Sequence, residues 1–230
     1  MAQTATFQDG VTGAGTFKDG HMYSDGGGRE GTAINGTIGS ASVMGGPINY
    51  RYILQMGLDE IPDNATVTSG VLTLNVSSAA SGSTNTIQAI RSSETDWTED
   101  GSHPTYTAKD GSNNWSAAGG SIDSTVTTTC GTFPTSTGSH DIDITLLVRD
   151  AIENRSKVLN IVLKDTIEDS GIAADTFVIS SADNSTTGNR PKLVVKYVEG
   201  GGAAGKARAT TMRAGGRRSM AKRNRRLFRR

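Results

Sequence analysis

The chain has 230 residues, 34% of them hydrophobic and 5% aromatic, with 29 glycines and a single cysteine. That is enough apolar material for one core, but its apolar runs are too short for a membrane-spanning helix, and the lone Cys130 excludes an intrachain disulfide. The net charge of zero is a cancellation: 11 of the 23 Lys and Arg residues follow Glu199, where no acid occurs, so a tail at +11 follows a body at −11.

Abundant Gly, Thr, Ser and Asn with few aromatics predicts many short strands joined by tight turns, an all-β fold. The first residues, Met1-Ala-Gln-Thr-Ala-Thr-Phe-Gln-Asp, have neither the basic nor the apolar region of a secretory signal, which with one cysteine predicts a protein made in a reducing cytosol. The sequons Asn64-Ala-Thr66 and Asn75-Val-Ser77 are then incidental. Residues 1–46 are Gly-rich and weakly patterned, with Asp9-Gly10, Asp19-Gly20 and Asp25-Gly26 as turn signals, and read as a loose N-terminal arm leading into an edge strand.

A sandwich domain is expected over residues 47–199. Tyr50, Tyr52, Leu54, Met56 and Leu58 alternate with Arg51, Ile53, Gln55 and Gly57, the period of a strand with one buried face, and Ile61-Pro62-Asp63-Asn64 ends it. Further strands are predicted at 65–67, 70–76, 86–91, 140–144, 157–163, 175–180 and 192–198, spaced as in antiparallel sheets. The polar stretch 92–139 holds both tryptophans and is too long for a structureless loop, so 121–129 is assigned to a strand. The pattern predicts one helix over 145–154, with Thr145 as cap, Leu146, Val148 or Arg149, Ala151 and Ile152 as apolar stripe, and Asn154 as left-handed stop.

Residues 200–230 form a basic arm. Its charges are Lys206, Arg208, Arg213, Arg217, Arg218, Lys222, Arg223, Arg225, Arg226, Arg229 and Arg230. Gly200–Gly205 and Gly215-Gly216 are swivels, and 219–228 has the pattern of a short helix capped by Ser219, with Met220, Leu227 and Phe228 as apolar anchors. Arginine outnumbers lysine nine to two, which favours bidentate grips on carboxylate or phosphate. The two readings are a solvated tail and a docking peptide. Gly200-Gly-Gly-Ala-Ala-Gly205-Lys206-Ala207 approaches the phosphate loop GxxxxGK[ST], but Ala207 replaces the magnesium-binding hydroxyl, so it reads as a hinge.

One set of landmarks resembles a known family. Tyr52–Leu58 with Ile61-Pro62 and Ala65–Leu74, Trp97-Thr98-Glu99-Asp100-Gly101, Tyr106, Asn114-Trp115 with Gly119-Gly120, Asp141–Thr145 with Leu147-Val148, Phe177 with Ser180-Ser181, and Arg190-Pro191-Lys192-Leu193 occur in the order found in DNRLRE-type domains. The match spans roughly residues 50–197, lacks the signature string, and excludes the basic tail. The resemblance implies an antiparallel jelly-roll β-sandwich akin to carbohydrate-binding modules, of a kind common in bacterial surface and phage proteins, with a glycan-binding or adhesive role. Trp97, Tyr106 and Trp115 are then the candidate sugar-stacking platform, although the same resemblance places at least one tryptophan in the core.

Catalytic chemistry finds little purchase. His21, His103 and His140 have no neighbours at metal-ligand spacing, Cys130 has no basic activator, and no serine lies in a nucleophile elbow. The expectation is no enzyme and no cofactor, apart from a structural calcium for which Glu99-Asp100, Glu168-Asp169 and Asp141 with Asp143 are the candidate ligands. Taken together, these features predict a structural virion protein, made in the host cytoplasm: a capsid decoration, head-fibre or tail-associated jelly roll held by its Arg-rich arm. Its expected partners are acidic surfaces of other virion proteins or of neighbouring copies in a homo-oligomer, with nucleic acid as another partner for the tail, host-surface glycan for the body, and no membrane. The alternative is a non-catalytic carbohydrate-binding module with a polyanion-binding tail.

Overall fold

The computed structural model describes residues 1–11, 16–25, 33–43, 46–80, 85–168 and 175–200. The described part ends at Gly200, so every tail residue from Lys206 to Arg230 lies outside it. The described residues form an antiparallel all-β sandwich of 11 strands and one α-helix. No helix among the described residues is long and apolar enough to cross a membrane.

The strands are β1 (Ala2–Gln8), β2 (Phe17–Tyr23), β3 (Asn35–Val43), β4 (Gly46–Gly57), β5 (Ala65–Ser78), β6 (Thr86–Ser92), β7 (Ile122–Thr132), β8 (Gly138–Asp143), β9 (Val158–Asp165), β10 (Thr176–Ser180) and β11 (Lys192–Glu199). They form one hydrogen-bonded sheet, in the order β1-β11-β5-β10-β3-β4-β9-β6-β7, with β2 on the free side of β4 and β8 on that of β5. It curls because its two longest strands change neighbours along their length. β5 pairs on one side first with β11 and then with β10, while β4 pairs first with β3 and then with β9. The short β3–β10 ladder thereby joins two layers, and their inner faces enclose Phe7, Ile38, Leu54, Met56, Leu72, Leu74, Ile161, Phe177, Leu193 and Val195. At 14 and 12 residues, β5 and β4 are long enough to serve both layers.

The described residues of the stretch 1–46 build strands of the sandwich, where the sequence predicts a loose arm. β1 is an edge strand that pairs with β11 from Ala2↔Val198 to Gln8↔Lys192, β2 lies along β4, and β3 is interior to the sheet order. Of the three Asp-Gly signals, Asp9-Gly10 is a turn, with Gly10 at φ 72°, but Asp19-Gly20 lies inside β2 opposite Leu54 and Ile53. Glycine in β3 permits a close approach: a Cβ at Gly36 would meet the Tyr52 ring at 2.4 Å.

The helix α1 (Thr145–Asn154) has the expected bounds, but its ends are built differently. Thr145 does not cap it. Asp143, two residues earlier, accepts from the Thr145 N–H at 2.8 Å, and the Thr145 hydroxyl oxygen accepts from the Gly70 N–H at 2.9 Å. Leu147, Val148 and Ala151 face the core while Leu146 is 55% exposed, and the left-handed stop falls on Ser156 and Lys157 instead of Asn154. Positions 65–67 and 70–76 join into the single strand β5.

Candidate functional site

β4 departs from its predicted one-sided burial: from Arg51 to Gly57 every residue is buried. The inner face packs in the main core. The outer face is roofed by residues 93–121, which carry Trp97 and Trp115 onto Met22, Ile53 and Val162 as a second, smaller hydrophobic cluster flanked by Tyr106 and Ile122. The Trp97 indole donates to Asn160 Oδ1 at 3.2 Å, and the Trp115 indole to the Thr105 carbonyl at 2.8 Å. Trp97 is 2% exposed and Trp115 5%, so the proposed stacking platform is instead an internal staple whose indoles face no solvent. Tyr106 is only partly buried, and the Arg51 guanidinium sits 5.1 Å from its ring centre.

Two charged clusters hold this roof. Arg51 grips Glu168 with Nε at 3.0 Å and Nη2 at 2.7 Å, and its Nη1 donates to the Gly119 carbonyl at 2.9 Å. Lys164 adds a second cation to Glu168 at 2.9 Å. Gly119 and Gly120 run at φ 81° and 94°, and a Cβ at Gly120 would meet Val162 at 2.8 Å, so this approach to the sheet requires glycine. The second cluster centres on Glu94, which accepts from Lys109 Nζ at 2.8 Å, from the Ser116 N–H at 2.7 Å and from the Ser121 hydroxyl.

Partial burial alone would raise the Glu94 carboxyl, but hydrogen bonds from Lys109, Ser121 and Ser116 prevail and hold it at about 2, against an ordinary 4.5. A depressed carboxyl contributes stability that is fully present above its ordinary pKa and is lost as pH falls from 4.5 towards 2. The melting temperature should therefore fall through that acid window. Glu94→Gln should flatten the fall, and an unchanged acid limb in that variant would refute the assignment.

A third charged group contains no cation. Asp19 on β2, Glu99 in the roof and Asp183 after β10 each present a carboxylate oxygen, and the three oxygens lie within 4.8 Å of one another. Asp19 is 1% exposed. Its Oδ2 accepts from the Ala182 N–H at 2.6 Å and from the Tyr52 hydroxyl, while its Oδ1 has no hydrogen-bond partner. Its N–H donates to Glu99 Oε1 at 3.3 Å. Burial pushes the Asp19 carboxyl up to about 7 against those hydrogen bonds. Burial, then the Asp19 charge, pushes Glu99 up to about 8. Burial and the nearby Asp9 raise Asp183 as well.

Of the acid pairs singled out for calcium, most are engaged elsewhere. Asp100 accepts from the N–H groups of Ser102 and His103, Asp141 from the Thr73 hydroxyl, and Asp143 from Thr145. Glu168 belongs to the Arg51 cluster, and Asp169 lies outside the described residues. Among the described residues, Glu99 alone of these candidates enters an acidic cluster, with partners that local sequence spacing does not suggest. Asp19 carries the one available signal, a carboxylate at a strand position opposite Leu54. Burial pushes the Cys130 thiol up to about 11, the reverse of what a nucleophile needs. His21 is buried on β2, and His103 packs against Asp100.

No protein-family model matches the chain, and no curated protein does.

Proposed function

We propose that the protein is a non-catalytic structural component of a virion, a β-sandwich displayed on the particle and tethered through its Arg-rich C-terminal segment. The observation that supports this reading most is the sorting of charge, with all 23 acids before Gly200 and 11 of the 23 basic residues after it. A segment of that composition grips carboxylate or phosphate arrays without a shaped pocket. The attachment point is itself firm: the Gly200 N–H donates to the Asn64 carbonyl at 3.2 Å, and the Gly200 carbonyl accepts from Asn64 Nδ2 at 3.0 Å. The preferred partner is an acidic protein surface, on another virion protein or on a neighbouring copy whose body carries −11.

The test compares the full chain with one ended at Gly200 in cells that assemble the particles. The shortened chain should keep the circular dichroism spectrum and melting temperature of the body and be missing from purified particles. Normal incorporation of the shortened chain would overturn the tether. Binding of the full chain to duplex DNA with a log–log salt slope of several units, near −0.9 per phosphate neutralised, would transfer the role to nucleic acid.

A further inference from the structure

The Asp19–Glu99–Asp183 cluster goes beyond the tethering role. Three carboxylates converge from segments about 80 residues apart, and among the described residues no lysine or arginine forms an ion pair with any of them. Lys18 acts on Glu99 and Arg190 on Asp183 only at longer range, since Lys18 donates to the Trp97 carbonyl at 2.6 Å and Arg190 pairs with Asp9 at 2.7 Å. Asp9 itself adds negative charge to the field around all three carboxylates. An acidic cluster on an exposed surface would be solvated and unremarkable. This one is anchored on a side chain that is 1% exposed, with Oδ1 buried and without a donor, which is costly unless something positive meets it.

We propose that Asp19, Glu99 and Asp183 bind a divalent cation, calcium by preference, through Asp19 Oδ1 and one carboxylate oxygen from each of the others. The ligand set is all oxygen, which selects hard cations. Oxygens no more than 4.8 Å apart leave a central point at most about 2.8 Å from each, a bound that admits calcium's ~2.3–2.6 Å, and an irregular set of three carboxylates suits calcium's flexible shell better than magnesium's strict octahedron. Tyr52 and Ala182 hold the other Asp19 oxygen by donating to Oδ2, which leaves Oδ1 as the oxygen available to an ion. Exposed Asp183 leaves the outer side open, where water completes the coordination shell. The ion would cross-link three separate parts of the body: strand β2, the roof, and the turn after β10.

The experiment uses the full chain, freed of metal with EDTA. Calcium titration by calorimetry should reveal one site, and terbium should give luminescence sensitised by Tyr52, whose hydroxyl touches Asp19, and by Trp97. Calcium at about 100-fold over its Kd should raise the melting temperature by roughly 5–10 °C, with magnesium giving less. Glu99→Gln and Asp183→Asn should each weaken calcium at least about tenfold and abolish the terbium signal, while melting in EDTA close to the parent chain, because each keeps the side chain's shape and takes away only the charge an ion draws on. Asp183 is exposed, so its variant folds even if changes at Asp19 do not. The proposal is overturned by no heat and no thermal shift up to about 10 mM calcium, or by unchanged affinity in both variants. The site can fail without touching the tether, which is scored by particle incorporation.

Discussion

Arg51→Ala is expected to destabilise the body by about 3–5 kcal/mol, because it strands Glu168, whose side chain is 3% exposed, with half of its compensation gone. For a unit of this size that is roughly 6–20 °C in melting temperature. Lys164 stays in place at 2.9 Å but is a single flexible ammonium, and it cannot replace the two parallel contacts the guanidinium makes. The same substitution frees the Gly119 carbonyl and uncovers the Tyr106 ring, so the roof should loosen along with the ion cluster. Limited proteolysis is the discriminating measurement. Cleavage should move to residues 93–121 in the variant while the sandwich core stays intact, and the triple variant Arg51→Met, Lys164→Met, Glu168→Met, which leaves no buried charge unpaired, should recover much of the loss. If Arg51→Ala melts within about 1 kcal/mol of the parent, the cluster is ornamental.

The second large effect falls on Trp97. Trp97→Ala removes one of the two largest side chains of the outer cluster and should cost about 3–5 kcal/mol through lost burial and the cavity left behind. Trp97→Phe refills most of the volume but leaves Asn160 Oδ1 without its indole donor, an expected loss of about 1–3 kcal/mol. That order, alanine worse than phenylalanine and both below the parent, is what an internal staple requires. A residue serving as a glycan platform would behave oppositely, losing sugar binding with its melting temperature unchanged. Chemical denaturation of the three proteins separates these outcomes.

The elements that carry strong local signals were legible in the sequence. The helix bounds 145–154 follow from one apolar stripe between polar segments, and β6, β9 and β11 follow from β-branched runs. The failures share a physical cause, which is that partners distant along the chain decide the outcome. Ala2–Gln8 shows no alternation worth reading, yet it becomes a strand because Lys192–Val198 offers it a ladder. Arg51 and Gln55 read as the wet face of β4 until a polar stretch 40 residues later folds over them. The same holds for the acidic cluster. Asp19-Gly20 has the chemistry of a turn, and Glu99 and Asp183 have the chemistry of loop surface, so only the assembled sheet brings their carboxylates together. Caps were misjudged for a local reason, since an Asp two residues before Thr145 competes for its N–H.

The place of β11 in the sheet bears on mechanics. Its last residues run directly into Gly200, and the strand is laced on one side to β1 over seven residue pairs and on the other to β5 over eight. Tension drawn along the strand from residue 200 would load both ladders in shear, so their hydrogen bonds would have to fail together instead of opening one after another like a zipper. An interior strand, clamped again at Asn64, therefore resists a pull on residue 200 better than a frayed edge strand would.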